Sequence, residues 1–491
     1  MGVSSVASNL IMLRFLVRYL PQKEAGVWLL FLTLSSYLVV FDFGISPTIG
    51  REISFAVGET GSSDTERAQR VRNLLATGSR LLQGLAIALA IICGIAGYFY
   101  LGSVVDFHTP LGHETALSWT IFVLAVAASV SGEIWMAALY GMGSVVTERL
   151  LRTAGYVIWI VLSIVILRSG GGLKGLSLAW FYAFGIRLAA RAVFFKSQPQ
   201  FRPTKSRIDW ELGKALSGKS VKYAGTLIGG TLILYTDNIV IASVLGPARV
   251  PNYYAVARLV SACLAVAMLI STASSPFISA AYAAGRMDEV RRITMRNVQV
   301  SLALMGAGGS FLAFFGRPLI LSWIGEGNFV GFGVLIVMLC AMTLEAHHVT
   351  LATATMACGE IPFFAPALIA GVLNLAFSFP LAHRFGLVGV ALGTLLAQIT
   401  TNNWFIPFYS LRHLHIRFQD YCLRVLIPCI GLIAFFIGCS FLAAKATHGR
   451  SRLMQIGIGF LLNGGILLGL AMTWRWFMGR GARPSRAASP A

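Results

Sequence analysis

The sequence predicts an all-α fold, that of a polytopic membrane protein with about 14 transmembrane helices. Of its 491 residues, 56% are hydrophobic and only 12% are charged, whereas about a quarter of the residues of a soluble domain are charged. The apolar residues form long runs, and a helix needs about 20 mostly apolar residues to cross a bilayer. The loops between the runs are alternately basic and nearly uncharged, which is typical of loops on opposite sides of a membrane.

The predicted spans form two sets of six, with two more at the end of the chain. The first six-helix lobe is residues 1–195, with spans at 4–20, 26–48, 78–101, 117–140, 150–167 and 174–195. A basic cytoplasmic linker, residues 196–221, leads to the second six-helix lobe, residues 222–410, with spans at 222–245, 253–280, 298–321, 332–357, 363–382 and 386–409. Two additional helices, 422–444 and 453–477, lie within residues 411–478, and residues 479–491 are predicted to be a disordered cytoplasmic tail.

The two lobes are predicted to be a repeat. Residues 172–175 (Gly-Leu-Lys-Gly) enter span six, and residues 386–389 (Gly-Leu-Val-Gly) enter span twelve. A second match pairs residues 20–28 with residues 246–254, which join the first two spans of each lobe. An even number of spans per repeat keeps the orientation, so the lobes are related by an axis along the membrane normal, with the substrate path between them.

The net charge of +20 orients the protein in its membrane. Most of the 39 Lys and Arg residues fall in loops on one side, which the positive-inside bias assigns to the cytoplasm together with both termini. Such charge interacts with anionic lipid headgroups, and nucleic acid is a poor explanation for it. The basic loop residues include those of 51–72, Arg149, Arg152, the stretch from Arg187 to Lys222, and those of 286–296 and 412–424.

Metal, nucleotide and enzymatic sites are not expected. The seven cysteines lack ligand spacing. Residues 213–220 match the P-loop pattern letter for letter, but a P-loop must follow a buried strand, and residues 203–212 are polar and basic. A basic amphipathic surface helix is therefore favoured for residues 213–220. The longest cytoplasmic loop, residues 196–219, is too short to fold as a catalytic domain.

Several stretches resemble a known family. They are Leu38-Val-Val-Phe-Asp42-Phe-Gly44, residues 235–246, residues 253–259, and Asn374 ahead of the motif at 386–389. Together they are similar to the polysaccharide-exporter branch of the multidrug/oligosaccharidyl-lipid/polysaccharide (MOP) flippase superfamily, and the resemblance covers nearly the whole chain. It implies two lobes that alternate between inward and outward openings. Wzx-type members flip undecaprenyl-pyrophosphate-linked sugar repeat units, so it also implies a role in O-antigen, capsule or exopolysaccharide biosynthesis.

Three charged residues are candidates for substrate binding, because charges inside a membrane are costly and usually functional. Arg258 and Asp237 lie within spans eight and seven. They are expected either to form an ion pair that stabilises the lobe or to form a pyrophosphate-contacting arginine tuned by a carboxylate. Arg14 lies within span one, where the alternatives are lining of the cavity and snorkelling to the interface.

Four further residues are candidates for gating or coupling: Asp42, Glu133, Glu345 and His348. Asp42 is expected at a helix-end turn or at a gate. A buried carboxylate such as Glu133 or Glu345 is able to carry a coupling proton, and the alternative is a hydrogen bond between helices. His347 and His348 point about 100° apart on a helix, so only one of them is expected on the face of Glu345.

The sequence therefore favours a flippase for a lipid-linked oligosaccharide in the bacterial cytoplasmic (inner) membrane. The first alternative is a cation-coupled multidrug exporter of the same superfamily, which requires an acid-dominated cavity. A membrane polymerase or ligase requires a large catalytic loop that this chain lacks. No cofactor is expected, and H⁺ or Na⁺ is the candidate coupling ion. The expected partners are the lipid-linked oligosaccharide, anionic membrane lipids, and a polysaccharide polymerase with its chain-length machinery.

Overall fold

The computed structural model describes residues 3–40, 45–59, 63–202, 211, 214, 231–233, 235–359 and 362–481. These residues form helices and no β-strand, which confirms the predicted all-α fold class. The helices of the first half are α1 (Val3–Tyr19), α2 (Gln22–Val40), α3 (Ile45–Gly58), α4 (Asp64–Val104), α5 (Pro110–Gly141), α6 (Val145–Arg168) and α7 (Gly172–Ser197). They are followed by α8 (Thr231–Leu245), α9 (Val250–Ala283), α10 (Met287–Ile324), α11 (Phe332–Ala357), α12 (Phe364–Thr400), α13 (Asn402–His413), α14 (Phe418–Ala446) and α15 (Arg452–Gly481).

Ten helices of the described residues are long and apolar enough to cross a membrane. The chain is therefore a multi-pass membrane protein. Several helices extend beyond their predicted apolar spans. The first turn of α4, for example, is polar and is capped by Ser63, whose side chain accepts a hydrogen bond from the backbone N–H of Glu66 in a capping box, as the S-x-x-E pattern predicts.

Helix α3 was not predicted. The sequence predicts one span over residues 26–48, but a described helix ends at Val40 and another runs over Ile45–Gly58. Residues 41–44, which include Asp42, lie outside the described residues. The prediction missed α3 because Arg51 and Glu52 interrupt the apolar run, and residues 45–58 are too few for a full span.

The first compact unit comprises Met1–Arg258 and Pro362–Asn402. Aromatic side chains form much of its interior. Trp28 is fully buried, and its ring centroid lies 5.4 Å from that of Phe122 and 5.5 Å from that of Trp159. Trp180 continues this cluster, with its centroid 5.0 Å from that of Trp159. Close-packed rings of this kind fix the spacing of helices α2, α5, α6 and α7.

The second compact unit comprises Leu259–Ile361 and Asn403–Ala491. Its described core joins α9, α10, α11 and the start of α14, with buried Val298, Leu351, Leu414 and Tyr421 among its members. The two additional helices belong to this unit, and α14 and α15 are linked by a hydrogen bond of 3.0 Å from Asn463 Nδ2 to Ser440 Oγ. The predicted lobe boundaries stay a prediction.

The two glycine motifs of the predicted repeat share their local geometry. Gly172 has φ 54° and Gly386 has φ 59°, a left-handed conformation that favours glycine. A Cβ added at Gly175 would lie 2.5 Å from Ile166 Cγ2, and one added at Gly389 would lie 1.9 Å from the carbonyl oxygen of Leu381. In both motifs the first glycine turns the chain, and the second permits close packing on the preceding helix.

Candidate functional site

The first unit contains a cavity of about 450 Å³, a volume typical of small-ligand sites. Polar side chains of α1 and α2, charged side chains of α5, α6, α7 and α9, and a set of aromatic rings surround it. The described lining residues are Ser8, Asn9, Leu32, Thr33, Ser35, Ser36, Val130, Glu133, Arg152, Tyr156, Trp159, Trp180, Phe184, Arg187, Thr231, Tyr235, Tyr254 and Arg258.

Glu133 holds two of the arginines that line the cavity. Its Oε1 lies 2.7 Å from Arg152 Nη2, and its Oε2 lies 3.1 Å from Arg187 Nη1. Arg152 also donates from Nε to Glu148 Oε1 at 2.7 Å. The side chains of Glu133, Arg152 and Arg187 are only 18%, 30% and 20% exposed, so each charge is removed from most of its solvent and depends on these partners.

A glycine next to Glu133 makes this arrangement possible. A Cβ added at Gly132 would lie 2.9 Å from the backbone carbon of Arg187 and 2.9 Å from the nitrogen of Leu188. Real Cβ atoms do not approach that closely, so glycine allows the backbone of α7 to contact α5. This close approach brings Arg187 within ion-pair distance of Glu133.

Arg258 differs from the other two arginines. Its guanidinium carbon lies 4.3 Å from the ring centroid of Tyr254 and 5.8 Å from that of Tyr235, so it is held by cation–π contacts. In the part of the chain that the structure describes, no carboxylate forms an ion pair with it. Among the described residues, Arg258 is therefore a partly buried cation without a carboxylate partner, at the wall of the cavity.

One wall of the cavity is aromatic. Trp159, Trp180 and Phe184 line it, and the centroids of Trp180 and Phe184 are 4.3 Å apart. These rings continue into the buried cluster around Trp28 and are fixed by it. The cavity therefore combines a rigid apolar face with arginines and with the neutral hydroxyl groups of α2.

Asp237 does not pair with Arg258, and the ion-pair alternative for these two residues is not what the structure shows. Its Oδ2 accepts a hydrogen bond of 2.5 Å from the Tyr253 hydroxyl, and its Oδ1 accepts one of 2.9 Å from Thr394 Oγ1. The oxygen atoms of Asn374 and Thr394 are 3.2 Å apart. Asp237 is thus part of a cluster of oxygen atoms contributed by α8, α9 and α12.

The other predicted site residues lie elsewhere. Arg14 is exposed on α1 and is not among the lining residues, although Ser8 and Asn9 of the same helix are. Asp42 and the residues of the P-loop match from 215 to 220 lie outside the described residues. Glu133 is the only gating candidate that the structure places, within its described part, at this cavity.

Glu345 and His348 form a separate cluster in the second unit. His348 Nε2 lies 3.6 Å from Glu345 Oε2, and its Nδ1 lies 2.7 Å from Asn403 Oδ1. His347 Nε2 instead lies 2.7 Å from the Tyr421 hydroxyl. Only one of the two histidines therefore shares a face with Glu345, as the helical spacing predicts.

The sequence reasoning missed Arg152 and Arg187 as site residues, because it counted them with the charges of cytoplasmic loops. The predicted spans 150–167 and 174–195 already contained both arginines, and the structure places them inside α6 (Val145–Arg168) and α7 (Gly172–Ser197). The sequence did contain a usable signal. A glutamate within an apolar helix requires a cationic partner, and only a few arginines on the next helices are available to pair with Glu133. The aromatic wall was missed because tryptophans in apolar spans look like ordinary core residues.

Comparison with solved structures assigns the fold. An inward-facing MATE family multidrug resistance transporter of the MOP superfamily matches with a TM-score of 0.69 and 16% identity, over 86% of this chain and 96% of its own. The lipid II flippase MurJ, in an inward closed conformation, matches with a TM-score of 0.68 and 15% identity, over 97% of this chain and 99% of its own. The fold of this chain is similar to the folds of these transporters.

A third similar structure is a MOP superfamily transporter from Pyrococcus furiosus, with a TM-score of 0.54 and 15% identity over 85% of this chain and 96% of its own. Its description states that a reversed polarity of the binding pocket suggests a different function. No protein-family model and no curated protein matches the sequence. Similarity at these identities shows the fold, so function has to be argued from the site.

Proposed function

We propose that this protein flips a lipid-linked oligosaccharide whose lipid carries a phosphate or pyrophosphate group. The observation that carries the proposal is the charge of the cavity. Among its described lining residues are three arginines and one glutamate, and Arg258 contacts tyrosine rings instead of a carboxylate. A substrate with a negative charge is able to supply the counter-ion that no described carboxylate provides for Arg258.

Arginine suits this role physically. Its planar guanidinium forms paired hydrogen bonds with phosphate oxygens, and a cation kept within a membrane protein marks a substrate or ion pathway. Arg152 and Arg187 lie on the same cavity and share one carboxylate, Glu133. A bound phosphate is able to compete with that carboxylate for either arginine.

The remaining lining fits the sugar next to the phosphate. Trp159, Trp180 and Phe184 offer flat apolar faces, on which the apolar faces of a sugar ring can pack. Thr33, Ser35 and other hydroxyl groups offer neutral hydrogen-bond partners. A long lipid tail needs no site in this cavity, because it stays in the bilayer.

The alternative is a cation-coupled exporter of the MATE kind. The fold supports it as well as it supports a flippase, since both kinds of protein are similar to this chain. The charge of the cavity favours the flippase, because a cavity with excess positive charge repels cationic drugs.

We also propose Na⁺ as the coupling ion, held by the oxygen cluster around Asp237. The cluster provides one carboxylate, the Asn374 amide oxygen and the Thr394 hydroxyl, which are hard oxygen ligands with a single negative charge. That donor set fits a monovalent cation. The Glu345–His348 cluster is the corresponding candidate for H⁺.

Glycolipid analysis of a deletion strain tests the flippase proposal. Loss of surface polysaccharide, with its undecaprenyl-linked unit held on the cytoplasmic side, is the expected result, and the intact gene should restore the polymer. Unchanged polysaccharide together with increased sensitivity to cationic drugs would instead indicate that the protein is a drug exporter.

A further inference from the structure

The second unit contains a cavity of about 810 Å³ that the transport proposal does not use. It lies where three helices begin or end. The described lining residues are Tyr282 and Gly285 at the end of α9, Met287 at the start of α10, Tyr409, Arg412 and His413 at the end of α13, and His415 in the following loop. By the positive-inside bias these helix ends are on the cytoplasmic side.

The cavity is basic. Arg412, His413 and His415 line it, and no Asp or Glu occurs among its described lining residues. The carboxylates of the neighbouring loops already have cationic partners: Asp288 with Arg291 at 3.0 Å, Glu289 with Arg286 at 2.7 Å, and Asp420 with Arg417 at 3.0 Å. Among the described residues, no carboxylate forms an ion pair with Arg412.

His413 carries a second, independent indication of a ligand. Its ring is stacked on that of Tyr409, with centroids 6.1 Å apart and planes at 12°, and lies 6.4 Å from the ring of Tyr282. Its Nε2 atom is buried, and no hydrogen-bond partner for it occurs among the described residues. Buried polar atoms are nearly always hydrogen-bonded, so the environment of this imidazole is one in which a further polar group is expected.

The loop that carries these residues is held in an unusual conformation. His415 has φ 54°, a left-handed conformation that few residues other than glycine adopt. Its Nδ1 lies 2.9 Å from the carbonyl oxygen of His413. Strained backbone of this kind persists where the surroundings hold it and is concentrated at binding sites. Here it places the second histidine beside the first.

We propose that this cavity binds the phosphate group of an anionic lipid at the cytoplasmic surface. Arg412 and the two imidazoles are donors for phosphate oxygens. The rings of Tyr282 and Tyr409 and the side chain of Met287 pack against the glycerol part of the headgroup, as aromatic side chains do at membrane interfaces. Such a ligand bridges α9, α10 and α13.

The test uses the purified full-length protein in a nonionic detergent. Dioctanoyl phosphatidic acid is titrated, and dioctanoylglycerol, which lacks only the phosphate, is the matched ligand control. Arg412→Ala and His413→Gln are the site variants. Arg417→Ala is the matched variant, because Arg417 lies in the same loop but is 88% exposed and pairs with Asp420. Thermal unfolding of each variant checks that the fold is retained.

Saturable binding of phosphatidic acid but not of dioctanoylglycerol is expected. Arg412→Ala should weaken it about tenfold or more, as the loss of a charge-assisted hydrogen bond predicts, and Arg417→Ala should leave it unchanged. Inorganic phosphate that binds as tightly as the lipid, with the same dependence on Arg412, would support the phosphate site and make the free anion its ligand. Equal binding of dioctanoylglycerol, or equal weakening by Arg417→Ala, would overturn the proposal.

Discussion

At the scale of single residues, the three arginines of the cavity are neutralised in two different ways. Arg152 and Arg187 share the carboxylate of Glu133, whereas Arg258 has aromatic partners. An ion pair inside a protein offsets the cost of removing charge from water, but cation–π contacts do so only in part. Arg258 is therefore the residue with most to gain from an anionic substrate.

We expect Arg258→Ala to abolish transport while the protein still inserts and folds, and Arg258→Lys to keep part of the activity. Lysine retains the charge but loses the paired hydrogen bonds to phosphate. Complementation of the deletion strain measures the effect, and Arg14→Ala is the control because Arg14 is exposed and does not line the cavity. Normal transport by a stably inserted Arg258→Ala protein would remove Arg258 from the site.

Glu133→Gln should have opposite effects on binding and on stability. The variant frees Arg152 and Arg187 for the substrate, so it should bind the anionic headgroup more tightly. It should also lower the free energy of unfolding by about 1–3 kcal/mol, because Arg187 loses its carboxylate partner and Arg152 keeps only Glu148.

Thermal unfolding and ligand titration of the purified protein measure both effects. Glu59→Gln is the matched control, since Glu59 forms a surface ion pair with Arg70, and such pairs contribute about 0–1 kcal/mol. A melting temperature for Glu133→Gln equal to that of Glu59→Gln would show that the Glu133 ion pairs do not stabilise the fold.

At the scale of helices, the positions of most elements could be predicted from composition and glycine motifs. The break at Gly386 and the start of α7 at Gly172 follow from glycines that the sequence reasoning singled out, and both have positive φ. Helix α3 could not be predicted, because it is short and contains Arg51 and Glu52. Arg152 and Arg187 lie within predicted spans, but their charges were counted with those of the cytoplasmic loops, because charge alone does not show which cavity a side chain faces.

Gly132→Ala tests how α5 and α7 set the geometry of the cavity. The added methyl would collide with the backbone at Arg187, and overpacking of this kind costs about 1–3 kcal/mol. We expect a lower melting temperature and weaker binding of the anionic headgroup. Gly185→Ala on α7 is the matched control, because a Cβ there meets nothing within 4 Å. Equal melting temperatures and equal headgroup binding for the two variants would contradict the close approach of α5 and α7 at Gly132.

At the scale of the whole molecule, the cavity itself could not be predicted from the sequence. Its lining comes from α1, α2, α5, α6, α7, α8 and α9, and no local pattern shows which faces of distant helices meet. The individual charges were recognised as functional because they are costly in a membrane. The partners of these charges were not recognised. Asp237 was therefore expected to interact with Arg258, whereas in the structure it accepts hydrogen bonds from Tyr253 and Thr394.

Transport as a whole should depend on Na⁺ through Asp237. Replacing Na⁺ by K⁺ should slow transport by the natural protein, and Asp237→Asn should remove this dependence because it deletes the only charged ligand of the oxygen cluster. Glu345→Gln, in the other unit, should keep it. Transport assays in vesicles with defined ion gradients measure the effect. Na⁺ dependence that survives Asp237→Asn would assign the coupling ion to another site.

The measurement that tests the central claim most directly is flipping by the purified protein in liposomes. A fluorescent lipid-linked pyrophosphate oligosaccharide is placed in one leaflet, and its arrival in the other leaflet is measured by its exposure to a membrane-impermeant glycosidase. Transport of a cationic dye is measured in the same vesicles for comparison. The cationic cavity predicts that the protein accelerates movement of the oligosaccharide lipid, that Arg258→Ala does not, and that the dye is not moved. Transport of the dye without movement of the lipid would contradict the account.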